Sequence, residues 1–416
     1  MYKRQLRKFG DPALVERVLP QVTSQDFDTL RQGAMFMTEQ GAGSDVSATE
    51  VTAAAQDDGT WRIHGDKWFC SNPDAGFAMV LARSESQPGL KGVSLFLLPR
   101  DLADGSHNHY RILRLKDKLG TRSMASGEIR LEGAVAWLVG ERGRGFKHMA
   151  DMINNSRLSN GMRAAGLMRR AVTEAVYVSQ NRRAFGKRLI DMPLMQRQLV
   201  KMTVWAEQAR SVMFQTARAL ADADHGTADP ALARILTPLI KFRACRDARK
   251  VTGDAMEVRG GCGYIEEWTE PRLVRDAHLG SIWEGTSNIV ALDVLRAIKK
   301  ENSLPALRDH IDRLLADGAP CPPALAEAQA HALEQTFTLA EHAAQGDHAE
   351  LARQAASLLY HAVSMAALRW EATSAGLESR AQLADQVLLH RLAPRDPYAI
   401  PPNESAACQA ILHYAL

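Results

Sequence analysis

Cysteine is scarce in this 416-residue chain and never closely paired: Cys70, Cys245, Cys262, Cys321 and Cys408 stand far apart, with no C-x-x-C among them. That argues against a zinc site and against a disulfide framework, and it suits a reducing, cytoplasmic setting. No uninterrupted run of eighteen apolar residues occurs, so no segment reads as a bilayer span. Charge of one sign is missing as well. A formal net charge of +3 leaves overall electrostatics unable to select nucleic acid, a membrane or an anionic metabolite as the partner. Lysine disappears beyond residue 300, where 7 Arg face 14 Asp plus Glu, and a region that acidic does not grip a phosphate backbone by itself.

What is present is enough apolar sequence for several cores: the hydrophobic share of 46% in a chain this long predicts two or three domains. Residues 34–140 have period two, with Trp61 and Ile63 alternating with Arg62 and His64, and Val93, Leu95 and Leu97 alternating along the next segment. Turn residues at Asp57-Asp58-Gly59, Asn72-Pro73-Asp74, Pro88-Gly89 and Asp104-Gly105 punctuate them at the spacing of an antiparallel barrel or sandwich rather than of βαβ units. Past Gly145 the period turns helical. Met192, Met195, Leu199, Met202, Ala206, Ala209 and Met213 follow intervals of 3 and 4, and similar stripes run through Leu158, Met162 and Ala165 and through Leu232, Ile235, Leu239 and Phe242. These predict a bundle of long helices over residues 141–300. Pro305, Gly318, Pro320, Pro322 and Pro323 read as a linker to an appended helical region within 301–416. The opening Met-Tyr-Lys-Arg-Gln is basic, precedes no apolar signal core, and matches a transposase adapter translated from a GTG start, which predicts a native start further upstream.

Four strings carry chemistry. Thr38-Glu39-Gln40-Gly41-Ala42-Gly43-Ser44-Asp45 sets glycines and hydroxyls where backbone donors can approach a flat polar ligand, although taken alone it reads first as an ordinary Gly/Ser/Asp turn. Ile282-Trp283-Glu284-Gly285-Thr286-Ser287-Asn288 places one carboxylate beside an aromatic and an apolar side chain, packing that raises a carboxylate pKa toward the range of a general base. The same string also reads as helix-entry chemistry with Glu284 as the cap. Asn181-Arg182-Arg183-Ala184-Phe185-Gly186-Lys187 and Val258-Arg259-Gly260-Gly261-Cys262-Gly263-Tyr264 combine basic side chains with bare backbone, which suits a pyrophosphate. Their plainer readings are a solvated charge run and a glycine helix terminus. Gly143-Arg144-Gly145 lacks a βαβ frame and a third glycine, so it reads as a hinge rather than a dinucleotide loop.

In this order, separated by a β region and long helices, the four strings resemble the acyl-CoA dehydrogenase superfamily across about residues 34–300. The resemblance implies an α+β fold: a central antiparallel β-barrel or sandwich, a long-helix bundle, an appended helical region, and a helical region before residue 34 that is largely missing. It implies FAD as cofactor, bound through Met37, Thr38 and Ser44, with Phe69 and Ser71 beside the isoalloxazine ring. Arg182 and Phe185 would touch the FAD of a neighbouring subunit, Gly260 and Gly261 would approach its adenosine diphosphate, and Thr286 and Asn288 would follow the catalytic base, Glu284. Ser44, Arg157 and Trp283 fall on the side of an acyl-CoA thioester. Ser156 occupies the position where one subgroup keeps an alternative catalytic carboxylate.

The implied reaction is α,β-dehydrogenation, in which Glu284 takes the α-proton and the β-hydride passes to flavin N5. The Glu284 backbone N–H would stabilise charge on the thioester oxygen. A shared FAD implies a homodimer or homotetramer, with an electron-transfer protein as the final acceptor. Pro193, Glu257 and Trp283 depart from the commoner family residues in the manner of the AidB-type branch, associated with the response to DNA alkylation. Arg114 to Gly120, Asp293-Val294-Leu295-Arg296 and the region beyond residue 300 are similar to that branch too. It carries the alternative that the flavoprotein acts through DNA binding by arginines such as Arg296.

Overall fold

The computed structural model describes residues 2–346, 348–396, 398 and 404–414. They fall into two compact units, Met1–Ser156 and Arg157–Leu416.

In the first unit, two short helices, α1 (Tyr2–Phe9) and α2 (Pro12–Thr23), precede seven strands: β1 (Gly33–Phe36), β2 (Thr52–Ala55), β3 (Trp61–Ser71), β4 (Phe77–Arg83), β5 (Val93–Pro99), β6 (Tyr110–Leu115) and β7 (Ser126–Leu138). Asp11 starts α2 by accepting the Ala13 N–H at 3.0 Å, with Pro12 in the first turn. The strands form one sheet in the order β1-β3-β2-β4-β5-β7-β6, and the extra pairings β1–β4 and β3–β7 curl it toward closure. Most pairs are antiparallel, led by β3 on β7 from Trp61 opposite Ala136 to Ser71 opposite Ser126. Two parallel pairings interrupt the pattern: β1 runs beside β4 from Gly33 opposite Phe77, and β2 meets β4 at Thr52 and Arg83.

The period-two reading of residues 93–98 needs one refinement, because β5 is buried on both faces. Phe96 and Leu98 point into the sheet core with Trp61 and Ile129, while Leu95 and Leu97 pack with Leu14, Val18 and Met149 on the other side. Gly145 lies where the chain after β7 turns into helix against β5. A Cβ there would stand 2.3 Å from the Ser94 carbonyl carbon and 2.5 Å from the Leu95 nitrogen, so the close approach demands glycine.

The second unit is helical: α3 (Gly145–Asn181, which begins in the first unit), α4 (Pro193–Asp224), α5 (Pro230–Arg259), α6 (Glu270–Leu279), α7 (Ser287–Glu301), α8 (Ser303–Ala316), α9 (Pro323–Gln345), α10 (Ala352–Ser374), α11 (Glu378–Val387) and α12 (Glu404–Tyr414). The α4 stripe Leu199, Met202, Ala206, Ala209 and Met213 is buried, as its intervals require. Met162 leaves its expected stripe and lies on the surface. Leu307, Ile311, Phe337, Leu359 and Leu383 belong to the same apolar cluster as Leu199 and Leu239, so the helices beyond residue 300 share one core with the bundle. Pro305 is no linker residue. Asn302, with φ of +46°, ends α7 and α8 begins at once, with Pro305 in its first turn where a missing N–H costs nothing. Among the described residues no helix is long and apolar enough to cross a membrane.

Gly145→Ala drives a methyl group into backbone that has no side chain to yield. The expected loss is about 1–3 kcal/mol of stability, read from urea denaturation, and an unchanged midpoint would contradict the packing described.

Candidate active site

Glu284 lies in the turn between α6 and α7 with a left-handed backbone, φ +55°, followed by Gly285 at +94°. A residue with a Cβ pays on the order of 1–3 kcal/mol to stay there, so its surroundings must hold it. Two cations do so. Arg157 Nε donates to the Glu284 carbonyl at 3.4 Å, and Lys241 Nζ donates to the Gly285 carbonyl. Arg157 is itself aimed by Asp293 of α7, whose carboxylate accepts Arg157 Nη1 at 2.6 Å, Arg234 Nη2 at 2.9 Å and Arg296 Nη1 at 3.2 Å. Burial pushes the Asp293 carboxyl up, but Arg157 and Arg234 overcome it and hold the group below its ordinary range. Burial brings the Lys241 ammonium down to about 8; Cys245 and Glu284 oppose that shift and Arg157 adds to it.

The Glu284 side chain is half-buried, with Oε2 shielded from water. Trp283 is fixed beside it: Nε1 donates to Asn160 Oδ1, and the Arg163 guanidinium lies 5.3 Å from the ring centroid. Ile282 does not supply the apolar wall expected from the sequence, because it turns outward and is 59% exposed. Nor does Glu284 cap α7, since the cap position belongs to Thr286. Thr286 and Asn288 are exposed at the start of α7, two and four residues beyond Glu284. Arg296 is tied to Asp293 rather than presented alone.

A second group gathers where α5 ends. Gly260 takes φ of +72°, Arg182 Nη1 donates to the Arg259 carbonyl at 2.9 Å, and a Cβ on Gly260 would stand 3.0 Å from that same Nη1. Gly261 opens onto empty space. Arg259 is the anchor, bonded to Glu270 and to Glu174 at 2.8 Å. Phe185 sits in the short hairpin of residues 183–188 and is 97% exposed.

In the first unit, the loop after β1 is built on a buried ion pair that its sequence conceals. Lys67 is fully buried in β3 and donates to Glu39 Oε1 at 2.6 Å and to the Met37 carbonyl at 3.2 Å; Glu39 Oε2 also accepts the Glu50 N–H at 2.7 Å. Burial pulls the Lys67 ammonium down and Glu39 opposes that shift. The Trp68 N–H donates to the Thr38 carbonyl at 2.9 Å, and Met35 lies opposite Ser71, so Met37, Thr38, Phe69 and Ser71 come together along β1 and β3. Ser44 is exposed in the adjoining loop, whose chain is pinned where Asp45 accepts the Ser47 N–H at 3.0 Å. Phe69 is 58% exposed beside Trp68, and Lys116 Nζ lies 3.3 Å from the Trp68 ring centroid and 4.9 Å from that of Phe69.

Asp293→Ala removes the acceptor shared by three guanidinium groups, and loss of a buried partner of this kind costs about 3–5 kcal/mol. Because its folded pKa lies below the ordinary 3.8, the stability from wild-type Asp293 is complete above that value and vanishes as pH falls through the lowered one. Urea midpoints across the acid range should therefore fall for the wild type and flatten for Asp293→Asn; parallel curves would contradict the assignment.

Comparison with known proteins places both units. Residues 34–134 match the family described as "Acyl-CoA dehydrogenase, middle domain", and residues 143–299 match "Acyl-CoA dehydrogenase, C-terminal domain". AidB of Escherichia coli is 40% identical over 64% of this chain and 48% of its own. The crystal structure of Caenorhabditis elegans ACDH-11 in complex with C11-CoA superposes with a TM-score of 0.87 at 31% identity, covering 95% of this chain and 70% of that one. An acyl-CoA dehydrogenase of Bacillus anthracis, solved with FAD, shares the fold at 20% identity with a TM-score of 0.78, over 98% of this chain and 79% of that one. The chain spans about half the length of the first curated relatives it matches. The paired domain matches and the shared architecture establish that the chain belongs to the acyl-CoA dehydrogenase family.

Proposed function

We propose that the protein is an FAD-dependent dehydrogenase of acyl-CoA thioesters in which Glu284 removes the proton from the carbon next to the thioester carbonyl. The observation that carries this reading is the turn itself: a half-buried glutamate in a left-handed conformation that two cations hold by its own carbonyl and the next. Such strain is retained where geometry matters to function. A base on a backbone fixed this way meets its proton without first having to find its backbone state, which lowers the entropic part of the barrier. The Glu284 N–H, carried by the same turn, would face charge developing on the thioester oxygen.

The residues fit FAD. At Gly260 a Cβ would crowd the Arg182 guanidinium, and Gly261 leaves open space beside it, so bare backbone lies next to a planar cation, which suits a pyrophosphate. Phe69 offers an exposed aromatic face, and Thr38 and Ser71 bring hydroxyl groups to the same strands, with Met37 and Ser44 at the loop beside them. Thr286 and Asn288 extend the contacts past the base. These residues would hold FAD, which would supply a hydride acceptor, with an electron-transfer protein as the final acceptor. Phe185, almost wholly exposed, favours a second copy of the chain completing the site as a homodimer or homotetramer. Arg157, Trp283 and Ser44 would line the acyl-CoA side.

Glu284→Gln keeps the shape of the turn and removes the base. Flavin bleaching by acyl-CoA under anaerobic conditions should slow on the order of 10³-fold with FAD content unchanged; bleaching at the wild-type rate removes Glu284 from this role.

One feature favours a second reading, action in the DNA alkylation response through duplex binding. Burial and then Arg353, Arg243 and Arg249 pull the Arg246 guanidinium down while Asp247, paired with Arg243 at 2.8 Å, opposes them, so four arginines gather on one side of α5 and α10. Arg296, held on Asp293, would contribute from α7. Binding of this kind weakens steeply as salt rises, and Arg246→Ala with Arg249→Ala should flatten that slope in a fluorescence-anisotropy titration. Salt-independent or absent binding excludes it.

A further inference from the structure

Lys67 and Lys241 are both fully buried, and their partners differ. Lys67 donates to the Glu39 carboxylate, whereas Lys241 donates to a backbone carbonyl, that of Gly285 in the turn beside Glu284. A carbonyl sets no full charge against an ammonium, so it holds the Lys241 proton less firmly than a carboxylate partner would. On α5 the residue stands among Leu239, Ile240 and Phe242, all buried, and this burial brings its ammonium down to about 8 from an ordinary 10.5.

Three titratable or charged groups face it. Cys245, one turn along α5, steadies the ammonium only as a thiolate; Arg157 of α3 repels it; Glu284 of the turn attracts it. Burial pushes the Cys245 thiol up to about 11, so that group keeps its proton through the range in which Lys241 loses its own. Asp293 of α7 is taken up by Arg157 and Arg234. Of the three, Glu284 is thus the one that steadies the charge.

The two grips on the turn are therefore unequal. Arg157 is aimed by a carboxylate at 2.6 Å, and a guanidinium stays charged across the working range of a protein. Lys241 does not. A charge-assisted hydrogen bond is about twice as strong as a neutral one, so loss of the lysine proton weakens the hold on the Gly285 carbonyl while the hold on the Glu284 carbonyl persists. Glu284, left-handed at φ +55°, stores the strain that these bonds oppose.

Resting on the reading of Glu284 as the base, we propose that Lys241 is a positioning residue of the reaction, whose charge keeps the Glu284 turn in place, so that proton abstraction slows when that charge is lost. It acts through the Gly285 carbonyl rather than on the substrate. Rate and stability then move in opposite directions. Because burial lowers the folded pKa, the unfolded chain keeps this proton longer, and between about 8 and 10.5 the group adds to stability as pH rises. An alkaline fall in rate caused by this lysine is thus distinct from unfolding.

The test follows lysine Cε resonances of isotope-labelled, FAD-loaded protein by NMR and, in parallel, anaerobic flavin bleaching by acyl-CoA, both from neutral to alkaline pH. One lysine, absent from the spectrum of Lys241→Met, should titrate near 8, and bleaching should slow about tenfold with the same midpoint. In Lys241→Met bleaching should already be slow at neutral pH and fall no further, with the half-saturating acyl-CoA concentration unchanged. Lys241→Arg keeps its charge and should remove the alkaline fall. Where a variant does not fold, the two wild-type midpoints decide: coincidence near 8 is expected, and midpoints that part overturn the proposal. Lysines that all titrate near 10.5, or an alkaline fall that persists in Lys241→Met, overturn it as well. Glu284→Gln tells the two readings apart. An inactive Glu284→Gln beside a wild type with no alkaline fall removes Lys241 alone, whereas undiminished bleaching in Glu284→Gln removes the base and this proposal with it.

Discussion

Asp293 is the fixed point of the helical unit's chemistry. It is buried in α7, accepts guanidinium groups from α3, α5 and its own helix, and stays ionised because Arg157 and Arg234 outweigh the cost of its burial. Through Arg157 it reaches the Glu284 carbonyl, and Lys241 holds the next carbonyl, so the turn is gripped from two helices at once. A left-handed glutamate would otherwise relax, since nothing in its local sequence favours that backbone. The ion cluster thus converts helix packing into the backbone conformation of one glutamate.

The β unit uses the same device on a smaller scale. Lys67 occupies an inward strand position that an apolar residue would normally take, and it stays there because Glu39 and the Met37 carbonyl satisfy it. The pair ties the loop of residues 38–45 to β3, which places the Thr38 backbone beside Trp68 and leaves Phe69 facing outward. In both units, then, a buried charge pair fixes a glycine-containing segment whose own sequence leaves it conformationally free.

Much of this was legible from the sequence where the signal is local and periodic. The α4 stripe, the alternating strands, the glycine at the end of α5 and the acidic turn before α7 were all readable, because burial on one face imposes a spacing. The partners of charged groups were not. Arg157 and Asp293 lie 136 positions apart and Lys67 and Glu39 lie 28 apart, and no period connects them. A faint signal existed for the two lysines: Lys67 shares the inward parity of Trp61 and Ile63, and Lys241 interrupts the apolar run from Leu239 to Phe242. The outward turn of Ile282 depended on tertiary contacts. So did the parallel pairing of β1 with β4, which joins strands not adjacent in the chain.

On the proposed reading these contacts serve a base held ready for a weakly acidic C–H bond, and that readiness can be examined without following oxidation at all. With FAD-loaded protein and an acyl-CoA in D2O, proton NMR reads exchange at the carbon next to the thioester. The wild type should wash that position with deuterium and Glu284→Gln should leave it protonated; exchange that continues undiminished in the variant would contradict the account at its centre.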